Sequence, residues 1–115
     1  MKLTNEGKET QEKIHLISGL RKDDVRNFFE SLLSLVVLDY VEEDKTYIPF
    51  LGEIEIEHVR DEYVEGKKKA VLNIEFTPDY NLRHNIGQVS DGEETDIENI
   101  FKRRLRNTLH EQVYE

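Results

Sequence analysis

The chain has 115 residues, of which 37% are apolar and 36% are charged, and its formal net charge is −9. This length suits one domain with a small core, and a partner subunit would help to cover its apolar surface. The acidic balance opposes nucleic-acid binding by the molecule as a whole, although a local basic patch can override it. The sequence has no cysteine, which excludes disulfides, thiol chemistry and cysteine-ligated zinc.

The first residues are polar and lack the apolar segment of a signal peptide. Residues 1–8 are expected to form a flexible N-terminal arm. Thr10 to Ile17 then suit a short helix, which Ser18 and Gly19 break. The longest unbroken apolar run, 35–38, is far too short to span a bilayer, so we expect no membrane-embedded segment.

The longest predicted element is a helix from Leu20 to Glu43. Asp23 and Asp24 stand in its first turn, where the positive end of the helix dipole favours acidic side chains. Its apolar residues recur at spacings of three and four, and the apolar band widens until it wraps most of the circumference. So short a chain has little else with which to cover this helix, so we expect a second copy to pack on it. The predicted oligomer interface contains Phe28, Phe29, Leu32, Leu33, Leu35, Val36 and Tyr40.

Strand patterns follow this helix. Residues 46–50 predict a short strand, which Pro49 places at a sheet edge, and Leu51-Gly52 marks a turn. Residues 53–57 alternate between glutamate and isoleucine, which predicts a half-buried antiparallel strand. Residues 70–76 alternate in a similar way, and Gly66 lies near the tip of the hairpin between them.

The register of this hairpin follows from parity. Both apolar sets lie at even positions, so facing residues must sum to an even number if the two apolar faces are to match. A three-residue loop with Gly66 at positive φ satisfies this condition. The register that pairs Asp61 with Lys69 and Glu62 with Lys68 also places opposite charges across the strands.

Two helices are predicted after the hairpin. Thr77 and Pro78 begin a short third helix as its N-cap and first residue, and Gly87 ends it. Residues 88–94 form a polar linker, and the capping-box pattern at 95–98 opens a C-terminal helix that extends to about residue 113. Its apolar stripe either binds another chain or packs on its own domain, and it contains Ile97, Ile100, Phe101, Leu105, Leu109 and Val113.

The order of these elements, together with several short motifs, resembles the HU/IHF family of DNA-bending proteins. The resemblance runs without a gap from Gly19 to Ile56 and covers roughly residues 9–87. It is carried by Gly19-Leu20, by Lys22 and Asp24, by the turn Leu51-Gly52-Glu53-Ile54, and by Phe76-Thr77-Pro78 with Leu82. It implies an α+β fold with two N-terminal helices, a three-stranded antiparallel sheet and a short third helix. It also implies an intertwined dimer with two projecting hairpins, to which residues 88–115 add a linker and a helical extension.

Departures from the family pattern bear on function. Phe50 and Arg21 stand where the family has a turn glycine and a serine-like helix cap. The hairpin arm is shortened, and no proline lies between Pro49 and Pro78, so the wedge with which this family intercalates between base pairs is missing. The strands that the resemblance would lay along DNA carry Glu53, Glu55, Glu57, Asp61, Glu62 and Glu65.

Basic residues form two candidate contacts with nucleic acid. Arg60, Lys67, Lys68 and Lys69 could hold phosphates near the hairpin tip; alternatively, the lysines form a solvated edge that discourages strand pairing. The basic residues of the C-terminal helix are better explained by the helix dipole and by intrahelical ion pairs. These residues are Lys102, Arg103, Arg104 and Arg106.

No catalytic or metal site is predicted. His58 with Asp61 and Glu62 is the one local cluster of histidine and acids, and it lies on an exposed strand without a second pair of ligands. The sequence has no phosphate-binding glycine loop, no nucleophile elbow and no H-E-x-x-H zinc motif. We therefore expect no enzymatic activity, no cofactor and no metal.

Two functions remain. The favoured one is a structural or assembly protein that acts through oligomerisation, with itself and with other structural proteins. Because HU/IHF-like proteins occur in tailed phages, this includes a virion component such as a neck or tail ring. The alternative is an architectural DNA-binding protein, or an acidic decoy that pairs with such a protein. The expected location is the cytoplasm or a virion.

Overall fold

The fold is α+β, as predicted, with two N-terminal helices, a three-stranded antiparallel sheet and a third helix. The computed structural model describes residues 1–93, 95 and 97. The elements are α1 (Asn5–Ser18), α2 (Lys22–Val41), β1 (Thr46–Ile48), β2 (Gly52–Val64), β3 (Lys67–Pro78) and α3 (Tyr80–Ser90). This is the order that the resemblance to the HU/IHF family implied. The chain divides into two compact units, 1–32 with 88–115, and 33–87.

Helix α1 begins earlier than predicted. The Thr4 side chain accepts a hydrogen bond of 3.0 Å from the Gly7 backbone N–H, so Thr4 is the N-cap and the helix starts at Asn5. The expectation of a flexible arm at 1–8 is therefore wrong from Asn5 onwards. Gly19 ends the helix in the left-handed conformation, with φ of 74°, and its N–H donates to the carbonyl of His15.

Helix α2 matches its prediction to within two residues at each end. Asp23 and Asp24 lie in the first turn as expected. In the unit that contains its second half, the hydroxyl of Thr46 donates a 2.8 Å hydrogen bond to Asp39 Oδ2, and Thr46 is buried. This contact connects the last turns of α2 to the first residue of β1.

The sheet has the order β1-β2-β3, and a tight turn joins its first two strands. The N–H of Leu51 donates to the carbonyl of Ile48 across this turn, with Pro49 second and Phe50 third at a φ of 70°. Proline followed by a residue of positive φ is typical of a type II turn, whose third position normally requires glycine. Phe50 therefore adopts the positive φ that glycine normally supplies at this position of a type II turn.

The hairpin of β2 and β3 has two registers, separated by an extra residue at Val59. Up to His58, paired with Leu72, facing residues sum to an even number, as predicted from parity. Beyond Val59 the sum becomes odd, from Arg60 paired with Val71 to the last pair before the turn. This is the pattern of a β-bulge, in which two residues of one strand oppose one residue of the other.

The bulge overturns the predicted loop and the predicted charge pairs. The turn has two residues, Glu65 and Gly66, both at positive φ (53° and 77°), as in a type I′ turn. Asp61 faces Ala70, and Glu62 faces Lys69. The prediction was wrong because it assumed uninterrupted alternation along β2.

Helix α3 begins and ends later than predicted. Thr77 and Pro78 still belong to β3, and Asp79 caps the helix by accepting a 3.0 Å hydrogen bond from the Asn81 N–H. Gly87 lies inside the helix, which continues to Ser90, so the predicted linker at 88–94 begins inside α3. The predicted C-terminal helix lies outside the described residues apart from Thr95, which is buried, and Ile97, which is helical and exposed.

Apolar burial within the described part of the chain is low. Val25 is its one fully buried apolar side chain, with 1% of its surface exposed. In the unit 33–87 the second half of α2 and one face of the sheet both expose large apolar side chains. They include Leu33, Leu35, Val37, Leu38, Val41, Leu72, Ile74 and Phe76.

Candidate nucleic-acid interface

Each hairpin strand presents its side chains to two faces, and the register assigns every residue to one of them. We call the face that carries Ile54, Ile56, Ile74 and Phe76 the apolar face, and the other the polar face. Strand β3 alternates without interruption, so its residues keep their assignment along its length. On β2 the bulge reverses the alternation: even positions before Val59 belong to the apolar face, and even positions after it belong to the polar face.

The outer end of the hairpin, 60–71, carries its basic residues mainly on the polar face. Arg60, Lys67 and Lys69 lie there together with Glu62. Arg60 Nη2 is 2.9 Å from Glu62 Oε1, which neutralises this arginine in part. Lys67 and Lys69 are exposed and form no ion pair with any residue that the structure describes. These two lysines are therefore the charges of the outer end that are available to an anion.

Lys68, the third lysine of the predicted contact, lies on the opposite face. Its Nζ is 3.3 Å from Asp61 Oδ2, and His58 Nε2 is 2.8 Å from Asp61 Oδ1. The hydrogen bond from His58, followed by that from Lys68, holds the pKa of Asp61 below its usual range. Lys68 is thus paired in part within the hairpin. Of the four predicted contact residues, Arg60, Lys67 and Lys69 lie on the polar face and Lys68 lies on the opposite face.

The base of the hairpin, 52–58 with 72–78, has an acidic polar face. Glu55 faces Glu75 directly across the two strands, and Glu53 and Glu57 lie two residues to either side on β2. Lys45 Nζ lies 3.8 Å from Glu55 Oε2 and is the one ion-pair partner of these glutamates among the described residues. The sequence showed that glutamates alternate on β2, but only the strand register shows that Glu55 and Glu75 face each other.

A hydrogen bond fixes the start of the sheet to the start of α3. The hydroxyl of Tyr47 donates to Asp79 Oδ1 at 2.7 Å, while Asn81 donates to Asp79 Oδ2 from its backbone and side chain. The Tyr47 bond, together with those from Asn81, holds the pKa of Asp79 below its ordinary value. The same bond raises the pKa of Tyr47. Sequence analysis missed this pair, because 32 residues separate the two side chains.

The predicted interface residues of α2 lie largely on the surface of the protomer. Phe28, Phe29, Leu33, Leu35 and Tyr40 are exposed, with Phe28 at 59%, while Leu32 and Val36 are half-buried. Monomeric proteins rarely expose so many neighbouring large apolar side chains. The interface at these residues remains a prediction.

Other site types find no support in the described part of the chain. No group of three or more histidine and acidic side chains there is arranged to hold a metal ion. None of its helices is both long and apolar enough to cross a membrane. A cavity of about 460 Å³ near the end of α2 and β2 is lined by charged side chains with Tyr40 and Ile56.

Comparisons with known proteins find similar solved structures and no matching family or curated sequence. No protein-family model matches the chain, and no curated protein sequence matches it. Solved structures similar to it include an HU protein from Anabaena in a cocrystal with DNA, at 16% sequence identity and a TM-score of 0.49. That similarity covers 72% of this chain and 97% of the Anabaena chain.

Proposed function

We propose that this protein is a dimeric, non-enzymatic architectural DNA-binding protein with an HU/IHF-like fold. The observation that carries this proposal is the row of Arg60, Lys67 and Lys69 on one exposed face of the outer hairpin end. Lysine and arginine side chains on an exposed hairpin are suited to phosphate oxygens, which supply most of the affinity of sequence-independent DNA binding. The sequence alone favoured a structural or assembly protein over a DNA-binding protein, and this proposal reverses that order.

A second copy of the chain is the proposed cover for the apolar surface. The exposed half of α2 and the apolar face of the sheet lie in the same unit, 33–87, and each lacks cover in the protomer. Burial of apolar surface contributes about 25 cal/mol per Å², so leaving these side chains in water would forgo much of the available stability. A dimer also supplies two hairpins, and hence two basic ends that can bind the same DNA duplex at once.

The acidic base limits how DNA is held. Glu53, Glu55, Glu57 and Glu75 would repel phosphates, so the proposed contact is confined to the outer ends. No proline lies between Pro49 and Pro78 to enter between base pairs. We therefore propose contacts to the sugar-phosphate backbone, without base readout and with weak affinity at physiological salt.

The test is a gel-shift titration of duplex DNA at two salt concentrations. Lys67→Ala and Lys69→Ala should each weaken binding and lower the slope of log affinity against log salt by about 0.9 per lost phosphate contact. Lys68→Ala is the matched control, because it removes the same charge from the same strand on the opposite face. It should bind as wild type. Equal losses in all three variants would reduce the effect to net charge, and salt-insensitive or absent wild-type binding would exclude the proposal.

A second candidate is the structural or assembly protein favoured by the sequence. The acidic polar face at the hairpin base and the net charge of −9 support it, because both disfavour nucleic acid and suit protein partners. A virion ring and a contact through the C-terminal stripe Ile97, Ile100, Phe101, Leu105 and Leu109 are finer forms of this proposal. It predicts a native mass above that of a dimer together with no salt-sensitive binding to duplex DNA.

A further inference from the structure

The acidic base of the hairpin carries an electrostatic cost that a single copy of the chain relieves only in small part. Like charges directly opposite each other in an antiparallel pair are destabilising, and Glu55 faces Glu75 in this way. Glu53 and Glu57 extend the same negative row along β2. Lys45, at 3.8 Å from Glu55, offsets a small part of this charge, since both side chains are about half exposed. A cationic surface that docked on this face would lower the cost.

The outer end of the same hairpin presents a cationic row with a matching repeat. Lys67 and Lys69 are two residues apart on β3, as are successive glutamates on β2. Side chains two apart on a strand are separated by roughly 7 Å, so lysines and glutamates can face each other one to one. Both lysines lack an ion-pair partner among the described residues.

These two rows cannot meet within one hairpin. They lie on the same face, and Glu57 and Val64, the last residue of β2, are separated by roughly 23 Å of extended strand. An extended hairpin cannot fold its outer end back onto its own base. Contact between the lysine row and the glutamate row therefore requires hairpins from two different copies of the chain.

We propose that Lys67 and Lys69 of one copy dock on two successive glutamates of the row Glu53, Glu55 and Glu57 of another copy, beside Glu75, which links dimers end to base. Each copy carries both surfaces, so two hairpins can also dock reciprocally, and because a dimer has two hairpins the contact joins dimers into a ring or an open chain. The contact needs no DNA, and it occupies the lysines proposed to bind phosphates. DNA and a neighbouring copy therefore compete for the same hairpin end.

The first measurement is native mass by sedimentation at roughly 0.05 M and 0.5 M salt, between which the Debye length falls from about 14 Å to about 4 Å. Wild-type protein should exceed the mass of a dimer at low salt and return to it at high salt. The variants Lys67→Glu/Lys69→Glu and Glu55→Lys/Glu75→Lys should each remain dimers at both concentrations, because each opposes charges of the same sign. A wild-type mass that does not depend on salt would overturn the inference.

Mixing the two charge-reversed proteins is the decisive step. Lys67→Glu/Lys69→Glu has acidic hairpin ends, and Glu55→Lys/Glu75→Lys has lysines at the hairpin base. The two proteins are complementary in charge, so their mixture should regain the salt-sensitive assembly that neither protein forms alone. Lys68→Glu is the matched control for a surface charge reversal and should assemble as wild type. Circular dichroism of each variant at both salt concentrations shows whether it is folded. Folded variants that fail to assemble on mixing contradict the docking.

The outcome separates this inference from the proposed DNA binding. Glu55→Lys/Glu75→Lys keeps both lysines, so it should lose self-association while still binding DNA. Wild-type protein that assembles but does not shift DNA would remove the DNA proposal alone. Protein that shifts DNA but stays a dimer at low salt would remove the docking alone.

Discussion

The base and the outer end of the hairpin are continuous in sequence and hydrogen bonding, yet they have different chemistry. At the base, one face is apolar and the other acidic, and the register follows the parity of the isoleucines. At the outer end both faces carry charges, including Lys67 and Lys69 on one and Lys68 on the other. In one protomer both regions are exposed, so exposure alone does not tell them apart.

The comparison shows that equal exposure can have opposite meanings. Contact with water is unfavourable for the large apolar side chains at the base, and we propose that a second copy covers them. Charged side chains at the outer end are stable in water and are free to meet a ligand. The residue at Val59 separates these regions, because the strand pairing changes there.

The largest expected effect comes from a charge placed on the apolar face of the base. Ile74 and Val64 are 56% and 55% exposed in the protomer, so a monomer would tolerate aspartate equally at both. If a second copy covers the base, Ile74→Asp buries an unpaired carboxylate and should cost roughly 3 kcal/mol or more. Val64→Asp at the outer end should cost about 1 kcal/mol, the span of strand propensity.

Urea unfolding and native mass of both variants check this expectation. Ile74→Asp should also lose the dimer at concentrations where Val64→Asp keeps it. Unfolding midpoints that agree between the two variants, with unchanged mass, would mean that the base is not covered.

A smaller effect is expected from alanine in the two hairpin glycines. At Gly52 a Cβ atom would lie 2.3 Å from the Thr77 carbonyl oxygen and 2.9 Å from the Phe76 ring, at a φ of 148°. The backbone of β3 must shift to admit it, so Gly52→Ala should lower the free energy of unfolding by roughly 3 kcal/mol. Gly66→Ala meets no atom within 4 Å. It should cost about 1 kcal/mol for its left-handed conformation.

Chemical unfolding of the two alanine variants measures this difference. A cost at Gly66 as large as that at Gly52 would show that conformation, rather than the close approach of β3, determines the penalty.

The smallest predicted effect concerns pH and the bond between Tyr47 and Asp79. The lowered pKa of Asp79 contributes stability above the unfolded pKa of about 3.9, and this is lost as the pH falls through the folded pKa. The raised pKa of Tyr47 contributes stability below the unfolded pKa of about 10, and this is lost as the pH rises through the folded pKa. Tyr47→Phe should therefore destabilise the protein between these limits and leave its stability unchanged in acid.

Urea midpoints across the pH range, with the carboxyl shift of Asp79 by NMR, test this bond. The control is Tyr63→Phe, since the Tyr63 hydroxyl at the outer end forms no hydrogen bond with any described residue. An Asp79 pKa that stays low in Tyr47→Phe would assign the shift to Asn81 instead.

The fold was predictable where a single period governs the sequence. Spacings of three and four gave α2 to within two residues, and alternation gave the register at the base, with Ile54 facing Phe76. Both patterns reflect a single apolar face, which strongly restricts the possible helix boundaries and strand registers. The order of the elements followed from these patterns, and the class of fold followed from the resemblance of that order to the HU/IHF family.

The wrong predictions lie where the same residues are compatible with two local structures. Beyond His58 no run of apolar residues fixes the register, so the charges of Asp61 and Glu62 fitted a pairing that the bulge replaces. Thr77 and Asp79 both suit an N-cap, and Asp79 forms it because Thr77 remains paired with Glu53. The division of the lysines between two faces depends on alternation from the true turn, which the sequence did not reveal.

The extra residue at Val59 also divides the hairpin into segments that can open separately. A bulge interrupts the ladder of hydrogen bonds, so the pairs from Arg60–Val71 to Val64–Lys67 can separate while those at the base stay closed. Amide protons of the outer end should then exchange with solvent through local opening, whereas in the proposed dimer those at the base should exchange only when the two copies dissociate. The hairpin end would thereby adjust to a curved or irregular partner without loosening the base, the surface that we propose a second copy covers.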